Sequence, residues 1–236
     1  MMWAQSTEIA PGVHRLPLFR TGAFLICEDT ITIVDAGWRW TGGRVLNQLR
    51  RLGRSPQEVS YIISTHMHLD HIGGMDHVKQ HSSGRVAAHE LEVTFLQRDG
   101  QKKLPDPSRN PALGTLLAPL YSLLRPPPVE VDILLREGSQ LSILGGMEVI
   151  HTPGHTPGSI SLYFPSQGLL IAGDALEYKR GKLGLPSRWF TADMDQAKDS
   201  VFRMAELDFD ILCFSHFPPM RKNGSKLLRQ FADTLS

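Results

Sequence analysis

Within six consecutive positions, His66, His68, Asp70 and His71 present three imidazoles and a carboxylate, directly after the apolar stretch Val59-Ser60-Tyr61-Ile62-Ile63-Ser64. Few features constrain a fold more, because the chain must build a strand whose mouth aims four donors at one place. Residues two apart on an extended chain point the same way, so His66 and His68 can grip one ion. The chain then turns at Asp70-His71-Ile72-Gly73-Gly74, which aims Asp70 and His71 at a second ion beside the first. This mixture of nitrogen and oxygen donors suits zinc first, with iron, manganese and cobalt as alternatives. Four polar residues sharing a solvated loop is the plainer reading, and the density of donors disfavours it.

Further donors stand at the ends of other apolar runs. Met147-Glu148-Val149-Ile150 leads into His151-Thr152-Pro153-Gly154-His155-Thr156-Pro157-Gly158, a punctuated loop that can hold a histidine rigidly. Gly168-Leu169-Leu170-Ile171-Ala172-Gly173 ends at Asp174, and Ile211-Leu212-Cys213-Phe214-Ser215 ends at His216. The chain thus offers five histidines and two aspartates for two metals. A carboxylate can bridge two ions where a single imidazole cannot, so Asp174 is the natural bridge.

From about Ile9 to His216 these motifs resemble the metallo-β-lactamase superfamily of dinuclear hydrolases. The resemblance implies that His66, His68 and His155 hold the first metal, that Asp70, His71 and His216 hold the second, and that Asp174 bridges them. Asp35, in Thr32-Ile33-Val34-Asp35-Ala36-Gly37, matches an early aspartate whose implied job is to orient ligands from behind; capping a turn before Gly37 is the alternative. His151 matches no ligand position and is read as a loop-packing residue. His14, His77, His81 and His89 lie outside the motifs and are read as surface or packing histidines.

Composition agrees with one soluble unit. A chain of 236 residues with 41% hydrophobic content can bury a sizeable core, and the expected organisation is a single domain over 1–236 with a helical insert at about 91–128. A net charge of +1 gives no field to attract polyanions, and Arg50-Arg51 and Arg221-Lys222 are only small basic pairs, so no nucleic-acid partner is expected. The opening Met1 to Glu8 does not read as a secretory signal, and no run has transmembrane length, so no membrane partner is expected either. Cys27 and Cys213, each among apolar neighbours, fit reduced thiols in a cytoplasmic protein.

Strands are expected at Ala23 to Glu28, Thr30 to Asp35, Val59 to Thr65 and Arg85 to His89. In the second half they are expected at Val131 to Arg136, Gln140 to Leu144, Met147 to His151, Ser159 to Phe164 and Leu169 to Ala172. Helices are expected at Gly43 to Leu52, Met75 to Gln80, Met194 to Leu207 and Lys226 to Thr234. Two mixed sheets packed face to face with helices outside account for this order, and the resemblance implies that α/β four-layer αββα sandwich. In the insert, Gln97 to Pro107 reads as a polar loop. Pro111 to Arg125 reads as a helix with Leu113, Leu116, Leu117, Leu120, Tyr121 and Leu124 on one face. Packing of that face on the main body is favoured over a lid or a subunit interface, the latter leaving a homodimer open.

The chemistry expected of such a site is hydrolysis. A hydroxide shared by two divalent ions is available near neutral pH, open coordination positions polarise a carbonyl or phosphoryl oxygen, and Asp70 would orient the hydroxide and pass a proton to the leaving group. The expected substrate is a small carbonyl ester, most of all a lactone, with an acyl tail against the apolar insert. Tyr178 stands near the bridging position and is followed by Lys179-Arg180-Gly181-Lys182, a loop expected to swing toward the metals so that the phenol could donate to the oxyanion; an ordinary surface aromatic is the alternative.

Other members of the superfamily remain as alternatives. Thioesterases of the hydroxyacylglutathione hydrolase (glyoxalase II) type share all seven ligands, but add a helical C-terminal region, where here only 20 residues follow His216. Persulfide dioxygenases use a mononuclear iron on the equivalents of His66, His155 and Asp174. True β-lactamases lack the bridging aspartate, and nucleases such as tRNase Z need a basic surface.

Overall fold

The computed structural model describes residues 5–97 and 125–236. Seven strands form one sheet in chain order: Thr7–Ala10 (β1), Val13–Pro17 (β2), Gly22–Cys27 (β3), Ile31–Val34 (β4), Val59–Ile63 (β5), Arg85–His89 (β6) and Ile133–Leu135 (β7). β1 to β4 pair antiparallel, and β4 to β7 run parallel. Later strands are Gln140–Leu141 (β8), Met147–His151 (β9), Ile160–Phe164 (β10), Leu169–Ile171 (β11), Glu177–Lys179 (β12), Lys182–Gly184 (β13) and Ile211–Cys213 (β14). Five of them make a second mixed sheet in the order β14-β11-β10-β9-β8, with β11 and β14 parallel, while β12 and β13 form a separate hairpin.

Period-two alternation along the strands explains why the layers stack. Leu25, Ile33, Ile62 and Val86 face one way and meet Val45, Leu46 and Leu49 of Gly42–Arg51 (α1) and Val78 of the short helix Met75–Gln80. Their neighbours Phe24, Ile26, Val34, Ile63 and Ala87 face the other way and meet Val149, Leu162 and Ile171 of the second sheet. The far face of that sheet presents Leu170 and Leu212 to Val201 and Met204 of Met194–Ala205 and to Leu228 of Gly224–Asp233. Strands covered on both sides read as continuous apolar runs, as β4 does with all four residues buried. The result is the four-layer αββα sandwich, helix on sheet on sheet on helix. Among the described residues the helices, in chain order, are α1, Leu69–Ile72 (α2), Met75–Gln80 (α3), Val93–Leu96 (α4), Met194–Ala205 (α5) and Gly224–Asp233 (α6).

Three segments differ from the sequence expectation. β1 and β2 have no strong apolar run, since Thr7 and Glu8 at the sheet edge are exposed, and pairing, of β1 with β2 and of β2 with β3, rather than composition makes them strands. The strand expected over Gln140 to Leu144 stops at Leu141, because Leu144, Gly145 and Gly146 take positive φ values of 51°, 76° and 123° and turn the chain into β9. Lys179 to Lys182 is not a swinging loop: Arg180 and Gly181, at φ 52° and 79°, make the two-residue turn of the β12–β13 hairpin. The expected helix Pro111 to Arg125 and the polar loop Gln97 to Pro107 lie, apart from Gln97 and Arg125, outside the described residues. Among the described residues no helix is long and apolar enough to cross a membrane.

Candidate metal centre

Strand ends position the donors. His66, Asp174 and His216 each stand three residues beyond the close of a strand, β5, β11 and β14, and Asp35 directly follows β4. Backbone hydrogen bonds tie these exits together: Ile160 N donates to Thr65 O at 2.9 Å, Ser215 N to Gly173 O at 3.3 Å and Ala36 N to His71 O at 2.8 Å. Gly173 sits at φ +56°, and a Cβ there would come within 3.2 Å of Thr65 Cβ, so the Asp174 exit passes close against the His66 exit. Asp70 and His71 lie on the single turn α2, which reverses the chain immediately after His68.

All seven expected ligands converge. His68 Nδ1 lies 3.2 Å from His66 Nε2 and 2.9 Å from His155 Nε2, a trio of nitrogens facing one point. Tetrahedral zinc with bonds of about 2.0–2.1 Å separates its donors by about 3.3 Å, so the trio is spaced for one ion. Asp70, His71 and His216 form a second group, with Asp70 Oδ2 at 3.7 Å from His71 Nε2 and 3.5 Å from His216 Nε2. Between the groups stands Asp174, whose Oδ2 is 2.9 Å from His216 Nε2, 3.5 Å from His155 Nε2, 3.6 Å from His71 Nε2 and 4.0 Å from His66 Nε2.

The donor set fits cations on chemical grounds. Buried His71 Nε2 and Asp174 Oδ1 have no hydrogen-bond partner, which costs free energy unless something electropositive sits there. Four histidines also have their outer nitrogen engaged. His71 Nδ1 donates to Asp35 Oδ2 at 2.8 Å and His216 Nδ1 to the Arg20 carbonyl. The Thr65 hydroxyl gives its proton to Asp35 at 2.8 Å, so it accepts from His66 Nδ1 at 3.1 Å. Thr191, donating to Ser187 O at 2.8 Å, likewise accepts from His155 Nδ1 at 3.2 Å. In each case the proton sits outward and Nε2 is left bare toward the site, the tautomer a metal needs.

Electrostatics separate the two halves. Burial, reinforced by the neighbouring imidazoles, holds His66 well below the usual histidine range and pushes His68 to about 4 and His155 to about 3, so the trio is neutral at pH 7. Burial opposes charge at His71 and His216 as well, but the carboxylates outweigh it, Asp174 foremost, and raise both. Asp174 is itself held well below the carboxylate range, its burial outweighed by His71 and the His216 hydrogen bond.

Residues outside the cluster occupy other surroundings. His151 stacks on His89, ring centroids 4.2 Å apart, and its Nε2 lies 2.9 Å from Pro157 O. His77 stacks on His81 at the surface end of α3. The Tyr178 ring lies parallel to buried Phe214 at 5.6 Å, two residues before His216. Sequence reasoning singled out neither Thr65 nor Thr191 nor the Arg20 carbonyl, because a hydroxyl or carbonyl behind a histidine carries no spacing signal. Thr65, adjacent to His66 and opposite Asp35, was the one with a legible context.

Comparison with known proteins agrees with this geometry. The metallo-beta-lactamase superfamily profile matches residues 18–216. The probable metallo-hydrolase YflN of Bacillus subtilis is 30% identical over 250 aligned positions, covering 97% of this chain and 93% of that protein. An N-acyl homoserine lactonase from a Bacillus species is 28% identical over 180 positions, covering 73% and 62%. The beta-lactamase of Chitinophaga pinensis shares the fold, with a TM-score of 0.74 at 21% identity over 99% of this chain and 91% of that one. The chain belongs to the metallo-beta-lactamase superfamily, and its fold and donor set make it one of the metal-dependent hydrolases of that group.

Proposed function

We propose that this protein is a dinuclear hydrolase that opens a carbonyl ester, with a lactone as the preferred substrate. The observation that carries the reading is the position of Asp174 Oδ2, within 2.9–4.0 Å of four histidine Nε2 atoms drawn from both donor groups. His66, His68 and His155 would hold one ion, Asp70, His71 and His216 the other, and Asp174 both. Zinc is the first choice for this donor set, with iron, manganese or cobalt as alternatives. Divalent ions held by these residues would supply water with its pKa lowered toward ~7 and would polarise a carbonyl oxygen.

The chain's own groups supply the rest. Asp70, at the partly open side of the cluster, orients the attacking water and carries its proton to the leaving oxygen. Tyr178 is assigned the oxyanion: its ring is held on Phe214, and a phenol kept in place by stacking can donate without reorganisation. A near-neutral net charge of +1 supports a neutral or weakly anionic small molecule over a polyanion, and an acyl tail suits the 91–128 segment. The lactonase among the relatives supports the lactone. Free Cys27 and Cys213 support a reducing compartment, the cytoplasm. The test is turnover of a panel of lactones, thioesters, phosphoesters and β-lactams by metal-loaded enzyme. Lactones are expected to give the highest kcat/KM; no lactone turnover at any metal loading removes the substrate class.

A further inference from the structure

Glu92 is a buried carboxylate that the hydrolytic reading leaves unused. It closes the short 3-10 turn Glu90–Glu92 after β6 and is 1% exposed. Its Oε1 accepts from Thr156 Oγ1 at 2.9 Å and from Gly158 N at 2.6 Å, and the Met67 N–H faces the same carboxyl. No cation neutralises it among the described residues, and burial lifts its pKa to about 6 against the pull of those donors. A carboxylate so placed is costly to the fold, so its position calls for a reason.

The partners supply one. Met67 sits between His66 and His68, while Thr156 follows His155 and Gly158 closes the same loop. A Cβ on Gly158 would come within 2.6 Å of Glu92 Oε1, so that loop lies directly on the carboxyl. Ser159 completes the arrangement, its hydroxyl accepting from Thr156 N at 3.0 Å and lying 2.8 Å from Thr156 Oγ1. One side chain therefore joins the two loops that must bring His68 Nδ1 and His155 Nε2 to 2.9 Å, without touching any of the three ligands.

We propose that Glu92 is a positioning residue for the His66–His68–His155 trio, a clamp between its two loops that sets the spacing of that site alone. The clamp rests on the metal reading above. Its reach is limited to one half of the centre, because none of its hydrogen-bond partners, Met67, Thr156 and Gly158, lies on the α2 turn that carries Asp70 and His71 or on the β14 exit that carries His216.

The test is stepwise titration of the full chain with Co(II) against a competing chelator, followed by visible absorption. Wild-type chain that takes up no Co(II) would overturn the metal reading itself. Given two steps in the wild type, His68→Ala identifies the step of the trio and Asp70→Ala the other. Glu92→Gln keeps an acceptor for Thr156 and Gly158 but turns an amide donor toward Met67. It should weaken the trio's step about 10- to 100-fold, the range for residues that orient ligands, and leave the other within about twofold. Thr156→Val, which breaks one arm without changing the charge, should weaken the same step several-fold, and it decides the matter if Glu92→Gln does not fold. Unchanged affinity in the folded variant, or equal weakening of both steps, overturns the clamp.

Discussion

Asp35→Asn tests whether a buried carboxylate sets the tautomer of a ligand. Asp35 is fully buried and sits at φ +58°, a conformation that asparagine tolerates, so the substitution adds little backbone strain. The carboxylate accepts three hydrogen bonds: Thr65 N on Oδ1 at 2.9 Å, and Thr65 Oγ1 and His71 Nδ1 on Oδ2, each at 2.8 Å. An amide cannot accept all three. With its nitrogen in the Oδ2 position it donates toward His71 Nδ1, which must then accept and move its proton to Nε2, the atom that faces Asp174. With the amide flipped, its nitrogen opposes the Thr65 N–H instead. The first arrangement blocks a ligand and the second leaves a buried donor against a donor, at a cost of about 1–3 kcal/mol to the fold. For the ion held by His71 we expect an affinity loss of about 10- to 100-fold, or about 1.4–2.7 kcal/mol. Isothermal titration of metal-stripped protein with zinc under chelator competition measures it, with denaturant unfolding for stability. Two ions bound at parental affinity in folded Asp35→Asn would refute the tautomer argument.

Three further outcomes follow from the same geometry. Asp174→Ala should lose at least one ion and most activity, whereas His151→Ala, which removes only the stack on His89 and the Pro157 contact, should retain both; loss of metal in His151→Ala would reassign the two neighbouring histidines. Tyr178→Phe should lower kcat on the best lactone by ~10²- to 10³-fold, and an unchanged kcat takes the phenol out of the mechanism. Glu92 carries a pH signature: its carboxyl rises from 4.5 to about 6 on folding, so ionisation penalises the fold by about 2 kcal/mol, a cost absent below pH 4.5 and complete above 6. Relative to the parent, chelated Glu92→Gln should therefore gain about that much stability between pH 4.5 and 7 in urea unfolding, and a pH-independent difference would contradict the assignment.

The donors were legible in the sequence because His66, Asp174 and His216 each stand just past an apolar run and His68, Asp70 and His71 crowd behind His66, a pattern that packing alone does not require. The central strands were legible for the same reason: β4 is buried along its whole length and β5 at Val59, Ile62 and Ile63, so both read as apolar runs. The edge strand β1, its neighbour β2 and the β12–β13 hairpin were not, since their strand character comes from pairing partners and from the left-handed Arg180-Gly181 turn. The groups behind the ligands were legible only in part. Asp35 stands next to a glycine-bearing strand exit, but Thr191 reaches His155 across 36 positions and Glu92 reaches Thr156 across 64, separations that no local pattern encodes.

Metal content decides the central claim most directly. Protein purified without added metal, soaked with zinc or manganese and desalted, is measured by inductively coupled plasma mass spectrometry against quantitative amino-acid analysis. The geometry around Asp174 predicts two ions per chain, falling to one or none in Asp174→Ala. A single ion at full occupancy, unchanged by either soak, would contradict the dinuclear centre.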